Sequence, residues 1–200
     1  SLVDGLIAEI ESFYGPVYTQ QVTYCAETFE EVADSLMFAG PKDTPVGIFV
    51  TDAFRMTFGT DIAIEAGGST AQPLYQGPLV GADFFRCVGY GFNTDNALGY
   101  RMATFDMTGA DIIAGLEFGL SDIEANDEFL LQVSGMEYAY DSENAVYLRC
   151  IYDSLIVGGM PLNPAATYSM TANEFVPMFL DITGIPYSNL HVYSDTTEFQ

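Results

Sequence analysis

The apolar residues of this chain change period part-way along it, and that change does most to limit the folds open to it. Leu2, Leu6, Ile7, Ile10 and Phe13 share one face of a helix that stops at Gly15-Pro16. Thr28 and Glu31 have the spacing of a capping box, which predicts a second helix burying Phe29, Val32, Ala33, Leu36 and Met37 and ending at Gly40-Pro41. Thr44-Pro45 predicts a third, because proline at the first helical position forfeits no needed donor; Val46, Phe49, Val50 and Ala53 face its core, with Phe54 alongside. From Asp61 the pattern becomes strand-like. Residues 61–64 read as a short buried strand running into Gly67-Gly68, and residues 98–107 alternate, with Met102, Thr104 and Asp106 on one side. Thr108-Gly109-Ala110-Asp111 caps a further helix bearing Ile112, Ile113, Leu116 and Leu120, its Asp111 suited to the positive helix start. Strand-like runs follow at 130–134, 136–140, 146–157 and 167–171, with turns at 141–144 and 158–164. Helices mixed with unevenly spaced strands predict an α+β (mixed α/β) fold, with mixed sheets and packed helices, rather than a regular βαβ array.

Charge narrows the functions. Five basic against 28 acidic side chains give a net charge of −23, a surface that repels phosphate backbones and argues against nucleic-acid binding and anionic-membrane docking. With 49% hydrophobic residues the chain is no disordered acidic tail. No apolar run reaches the roughly 18 residues of a membrane span. The opening Ser1-Leu2-Val3-Asp4 carries no basic and apolar leader, so a mature or excised piece of something longer is expected. Cys25, Cys87 and Cys150 are too few and too scattered for a disulfide framework or zinc ribbon, and buried inert thiols are expected. His191 is the only histidine. One imidazole cannot build a two-metal hydrolytic centre, no Gly-x-Ser-x-Gly elbow supports a serine relay, and an ordinary strand histidine is expected. Residues 93–100 lack the acidic spacing of an EF-hand and read as a polar hairpin turn. Arg55, Arg86, Arg101 and Arg149 are expected to pair with neighbouring acids.

Six segments, in order over roughly residues 45–180, resemble the C-terminal domain of the 5′-nucleotidase family. They are Gly47-Ile48-Phe49-Val50-Thr51-Asp52-Ala53; Asp61 through Gly67-Gly68; Gln76-Gly77 with Asp83-Phe84-Phe85-Arg86-Cys87-Val88; Met107-Thr108-Gly109-Ala110-Asp111-Ile112 with Leu116-Glu117; Leu131-Gln132-Val133-Ser134-Gly135-Met136; and Tyr168 through Asn173-Glu174-Phe175. The resemblance implies that residues 1–200 form one substrate-recognition domain, with residues 1–20 a lead-in helix or linker. It implies a partner in the same protein, an N-terminal metallophosphoesterase domain that holds the divalent metals; this chain carries no cofactor and is inactive alone. The ligand would be a small nucleotide or nucleoside, without nucleic acid or membrane insertion, and the location periplasmic or extracellular.

Transferred residue by residue, the resemblance makes Phe175 one ring of an aromatic clamp on the base. Tyr90 or Phe92, in Val88-Gly89-Tyr90-Gly91-Phe92-Asn93, would be the other. Gly67 and Gly68 would offer amides and Ser69 a hydroxyl, while Asp181 stands at the offset of the family's tail aspartate. Two departures stand out. Thr70 replaces the arginine of the Gly-Gly-x-Arg loop and has no cationic fork, and Phe179-Leu180 replace glycines of the tail. These losses leave open a degenerate interaction domain, or a hydrolase of nucleotide-sugars or sulfur esters.

Overall fold

The computed structural model describes residues 1–31, 42–88 and 99–199. Helix α1 (Leu2–Tyr14) is capped by Ser1, whose hydroxyl accepts the Asp4 amide, and stops at Gly15 with φ 79°. None of its residues is buried. Strand β1 (Gln21–Cys25) then pairs antiparallel with β3 (Gly77–Val80). The capping box expected at Thr28 does not form. The Thr28 hydroxyl accepts the Gln76 amide, and Phe29 exchanges backbone hydrogen bonds with Leu74. The rest of that expected helix, residues 32–41, lies outside the described residues.

Helix α2 (Pro45–Phe58) begins as anticipated, with the Thr44 hydroxyl accepting the Gly47 amide. Its buried face is Val46, Gly47, Val50, Thr51 and Phe54; Phe49 and Ala53 point outward. The stripe is rotated because Gly47 is the point of closest approach to the sheet, where a Cβ would run into the Gln132 side chain.

The main sheet has five strands in the order β10-β4-β9-β2-β5. They are β2 (Ile62–Ala66), β4 (Arg101–Thr108), β5 (Leu131–Ser134), β9 (Thr167–Asn173) and β10 (Ser188–Thr197). Only the β2–β9 pair is parallel. Helices α4 (Gly109–Gly119) and α5 (Phe175–Thr183) cover one face, packing Ile112, Leu116, Val176 and Leu180 on Ile62, Ile64, Phe105 and Met170. Helix α2 and the short α3 (Gly81–Cys87) cover the other, with Val46, Val50, Phe54 and Cys87 on Ala63 and Met102. Thr108 caps α4 by accepting the Asp111 amide at 3.2 Å, as its sequence predicts.

Strands β6 (Met136–Glu137), β7 (Ile156–Val157) and β8 (Met160–Pro161) make a small antiparallel sheet. The longer strands expected at 136–140 and 146–157 are thus mostly absent. Tyr147 takes a left-handed φ of 66°, and the amides of Arg149 and Cys150 donate to the buried Glu117 carboxylate, each at 2.9 Å, instead of to a strand. A carboxylate with two oxygens here does the work of a strand edge. The three cysteines are free and buried; burial pushes the Cys87 thiol up to about 11 and Cys150 up to about 12, so both stay neutral. His191 lies exposed in β10, its ring against Tyr193 at 4.4 Å.

Candidate functional site

One end of the five-stranded sheet gathers segments from across the chain. There β2 runs out into the Gly67–Ser69 turn, β9 leads towards Phe175, β4 follows Tyr100, and β10 gives way to Glu198. The registers bring this about: Met102 pairs with Asn173, Thr197 with Arg101, and Ala63 with Thr171. Arg101 and Glu174 clamp the middle. The guanidinium donates from Nε at 2.9 Å and Nη2 at 2.6 Å to one Glu174 oxygen, and the Arg101 amide donates to the other at 3.0 Å. Burial pushes Glu174 up, but the Arg101 hydrogen bonds and charge outweigh it and hold the carboxyl below its usual value.

Phe175 opens α5 at this end, half-buried, with its ring stacked on Tyr100 at 5.6 Å between centroids and on Phe179 at 5.9 Å. The row continues from Phe179 to Phe129 at 5.1 Å. Beneath it lies an apolar cavity of about 70 Å³ lined by Ile64, Met107, Leu116, Phe129, Phe175 and Phe179. The aromatic surface is therefore continuous with the core and not an isolated exposed ring.

The structure brings Phe175 and the Gly67–Ser69 turn to the same sheet end, but it corrects the part expected of the glycines. The Gly67 amide donates to the Leu130 carbonyl and the Gly68 amide to the Glu128 carbonyl, each at 2.9 Å, so neither is available to an anion. A Cβ on Gly68 would fall 2.8 Å from that of Glu128, so the glycine serves close chain packing. Ser69 is engaged with the buried Glu65 carboxyl, and Thr70 is buried with its hydroxyl on the Gly67 carbonyl at 2.9 Å. Asp181 sits exposed on α5, accepting the Tyr187 hydroxyl at 2.9 Å, six residues beyond Phe175. Tyr90 and Phe92 lie outside the described residues.

Sequence reasoning missed four residues of this end: Tyr100, Glu65, Asn173 and Glu198. Glu65 is 1% exposed in the middle of the sheet. Burial first, then the charge of Glu198, pushes its carboxyl up to about 8, against the lowering bonds from Ser69 and the Ala66 amide. A glutamate directly after Ile62-Ala63-Ile64 was the available signal, since a charge amid a buried strand needs a built environment. Arg86 pairs with Asp83, Arg101 with Glu174 and Arg149 with Glu124, as expected of scarce cations in an acidic chain, while Arg55 instead bonds Ser134 at 2.7 Å. Among the described residues no three His, Cys, Asp or Glu side chains converge to hold a metal ion. No helix among them is long and apolar enough to cross a membrane.

Comparison with known proteins fits this arrangement. The chain is 26% identical over 172 residues to Endonuclease YhcR of Bacillus subtilis (strain 168), covering 86% of this chain and 12% of that protein. It is 28% identical over 142 residues to the Trifunctional nucleotide phosphoesterase protein YfkN of the same organism, covering 68% of this chain and 9% of that one. The chain thus spans about a tenth of these curated relatives. A crystal structure of a 5′-nucleotidase precursor from Thermus thermophilus superposes with a TM-score of 0.75 at 18% identity, over 99% of this chain and 38% of that one. Residues 31–184 match the family described as 5′-nucleotidase, C-terminal domain, to which this chain belongs.

Proposed function

We propose that this chain is the nucleoside-gripping domain of a two-domain, metal-dependent phosphoesterase acting on nucleotides. The reading rests on the Tyr100–Phe175 ring pair at the end of the sheet, in a chain of this family. A flat base gains from stacking on such rings whatever its hydrogen-bonding edge, so recognition by them tolerates different bases. The names of the relatives, a nucleotide phosphoesterase and a 5′-nucleotidase precursor, lend support. Phe175 is one ring of the clamp; Tyr90 or Phe92 supplies another from the segment that leads to Tyr100, and Asp181 lies further along α5.

The chemistry belongs to an N-terminal metallophosphoesterase domain outside this chain, whose divalent metals would polarise the phosphoryl oxygens and activate water. With Thr70 in place of an arginine and the Gly67 and Gly68 amides occupied, that domain also supplies the countercharge for an anionic substrate. The net charge of −23 agrees with a role confined to the base, because it disfavours phosphate at this surface. The protein acts in the periplasm or outside the cell.

Calorimetry with adenosine tests the reading. Saturable binding that Phe175→Ala abolishes is expected, together with no nucleotide hydrolysis by the chain in manganese or zinc. Absence of binding to any nucleoside would favour a second reading, an interaction domain that has lost its ligand, for which the occupied glycine amides are the motivating observation. Robust hydrolysis by the chain alone would overturn both.

A further inference from the structure

Helices α4 and α5 are apolar on both of their sides. Ile112 and Leu116 of α4, and Val176 and Leu180 of α5, pack on the sheet. On the outer side α4 turns the exposed Ala110 and Ala114 and the half-buried Ile113, and α5 turns Met178 and Ile182, the latter 80% exposed. A helix that only had to cover a sheet would carry polar residues there. Instead the outer sides line a groove of about 720 Å³, with Phe118, Phe179 and Ile185 between them.

The loop after residue 145 closes the groove with Tyr147 and Tyr152. Val146, Tyr147 and Leu148 stand exposed in succession. The left-handed φ of Tyr147 is one that a bulky residue keeps only where its surroundings impose it. They do so here. Glu117, itself buried at the groove, holds the Arg149 and Cys150 amides. The Asp141 amide donates to the Arg149 carbonyl and the Ile151 amide to the Ala139 carbonyl, while the Arg149 guanidinium donates to Glu124 and to the Leu120 carbonyl. The apolar side chains are thus presented outward on a fixed frame, as at an interface.

Charge chooses the occupant. Beyond Arg101 the chain has a single lysine or arginine, Arg149, and its guanidinium is engaged within the frame. The exposed Asp153 and Asp181 adjoin Tyr152 and Ile182 in sequence. A second copy would bring another net charge of −23, and its unburied helix α1 carries Asp4, Glu9 and Glu11 with no base, so it is repelled.

We propose that the groove between α4 and α5 takes an amphipathic helix of a separate protein, with an apolar ridge between the two helices and lysine or arginine along its flanks. Two helices side by side with apolar outer ridges seat a third. Ala110 and Ala114, one turn apart, let its backbone come close, and the 11 residues of α4 give it a bed about 16 Å long. The metal domain proposed above must meet the sheet end that holds Tyr100 and Phe175, whereas the groove lies on the outer side of the helical layer. That choice of source rests on the recognition reading; the groove itself does not.

The probe is a helical peptide of about 18 leucines and lysines, titrated into the 200-residue chain at physiological salt by NMR and calorimetry. A scrambled peptide of the same composition and an acidic one with glutamate for lysine serve as controls. Saturable binding is expected, with shifts on the outer side of α4, on α5 and on residues 147–152, about tenfold or more tighter than for the scrambled peptide, and no binding of the acidic one. Ile182→Asp and, separately, Tyr152→Ser should each weaken the helical peptide about tenfold, the worth of one large buried apolar side chain. Ile182→Asp should leave the scrambled peptide no weaker, since it adds negative charge. No binding, equal binding of both basic peptides, or shifts away from the groove overturns the proposal. Self-association of the chain that Ile182→Asp abolishes gives the groove to a second copy and also overturns it. So does loss of peptide binding when the chain is joined to its metal domain, which would make that domain the occupant. Adenosine calorimetry on Ile182→Asp should match the wild type, which keeps a failure of the recognition reading distinct from a failure of this one.

Discussion

On the side of the five-stranded sheet covered by α4 and α5, the strands present Ile62, Ile64, Phe105, Met107, Met170 and Ala172, all apolar. On the side covered by α2, strands β2, β5 and β9 present Glu65, Gln132, Thr171 and Asn173, each at most 3% exposed, beside the apolar Ala63 and Met102. Both faces are dry, so the contrast is not one of solvent. The apolar face gains from burying area alone and is indifferent to orientation. The polar face gains little net from its hydrogen bonds but loses heavily if any one is left unmade, so it fixes particular atoms in particular places. Its atoms hold the start of β4 and the end of β9, where Tyr100 and Phe175 meet. The difference teaches that ring placement is carried by the α2 side of the sheet, whereas apolar burial is shared by both sides.

That division can be broken by substitution. Phe105→Ala removes a ring that is 1% exposed on the apolar face. It should cost about 3–5 kcal/mol in denaturant unfolding, while adenosine affinity in the folded fraction stays near that of the wild type. A selective loss of affinity with little loss of stability would show that the faces are not separable.

The next effect is smaller and depends on pH. Glu65 holds its proton in the fold up to about pH 8, whereas an unfolded glutamate releases it near its ordinary value of 4.5. Between these values the folded state binds more protons, so stability declines as pH rises, by at most about 1.4 kcal/mol per pH unit from this group. Glu174 runs the other way. Arg101 holds its carboxyl below the usual value, so its contribution is present above that value and is lost as pH falls below it. Glu65→Gln should flatten the decline in melting temperature between about pH 4.5 and 8 and leave the limb below pH 4.5 unchanged. A decline of the same slope over that window in Glu65→Gln would assign it to other groups.

The smallest effect is expected far from either face. Leu6 in α1 is 51% exposed, and Leu6→Ala should change stability by no more than about 0.5 kcal/mol. A larger loss in the isolated chain would mean that α1 packs on the domain.

How much of this was legible beforehand depends on range. Helices α2 and α4 could be read from Thr44-Pro45 and Thr108-Gly109-Ala110-Asp111, because caps act within one turn. Strand β5 and most of β4 and β9 followed from alternation, and the ordered segments from Gly47 to Phe175 gave the family. Thr28 misled, because a hydroxyl that could cap a local helix was instead taken by Gln76, a partner 48 residues on. Residues 146–157 misled for the same reason: a strand-like run has its ladder bonds taken by Glu117 on a helix. The site divides in the same way. Phe175 and Gly67-Gly68 were marked by local motifs, whereas the Asn173 contacts with Glu65 and Glu198, 108 and 25 residues away, come from the sheet order alone. Nothing in the local pattern around Glu198 marks a buried carboxylate.

The most direct test is an NMR titration of the chain with adenosine at pH 7. If the sheet end grips nucleosides, the largest saturable amide shifts fall on Gly67 to Ser69, Tyr100, Asn173 and Phe175, while α1 and the outer faces of α4 and α5 stay still. Saturable shifts that gather on α4 or α5 and leave Tyr100 and Phe175 unmoved, or no saturable shifts at all, would contradict it.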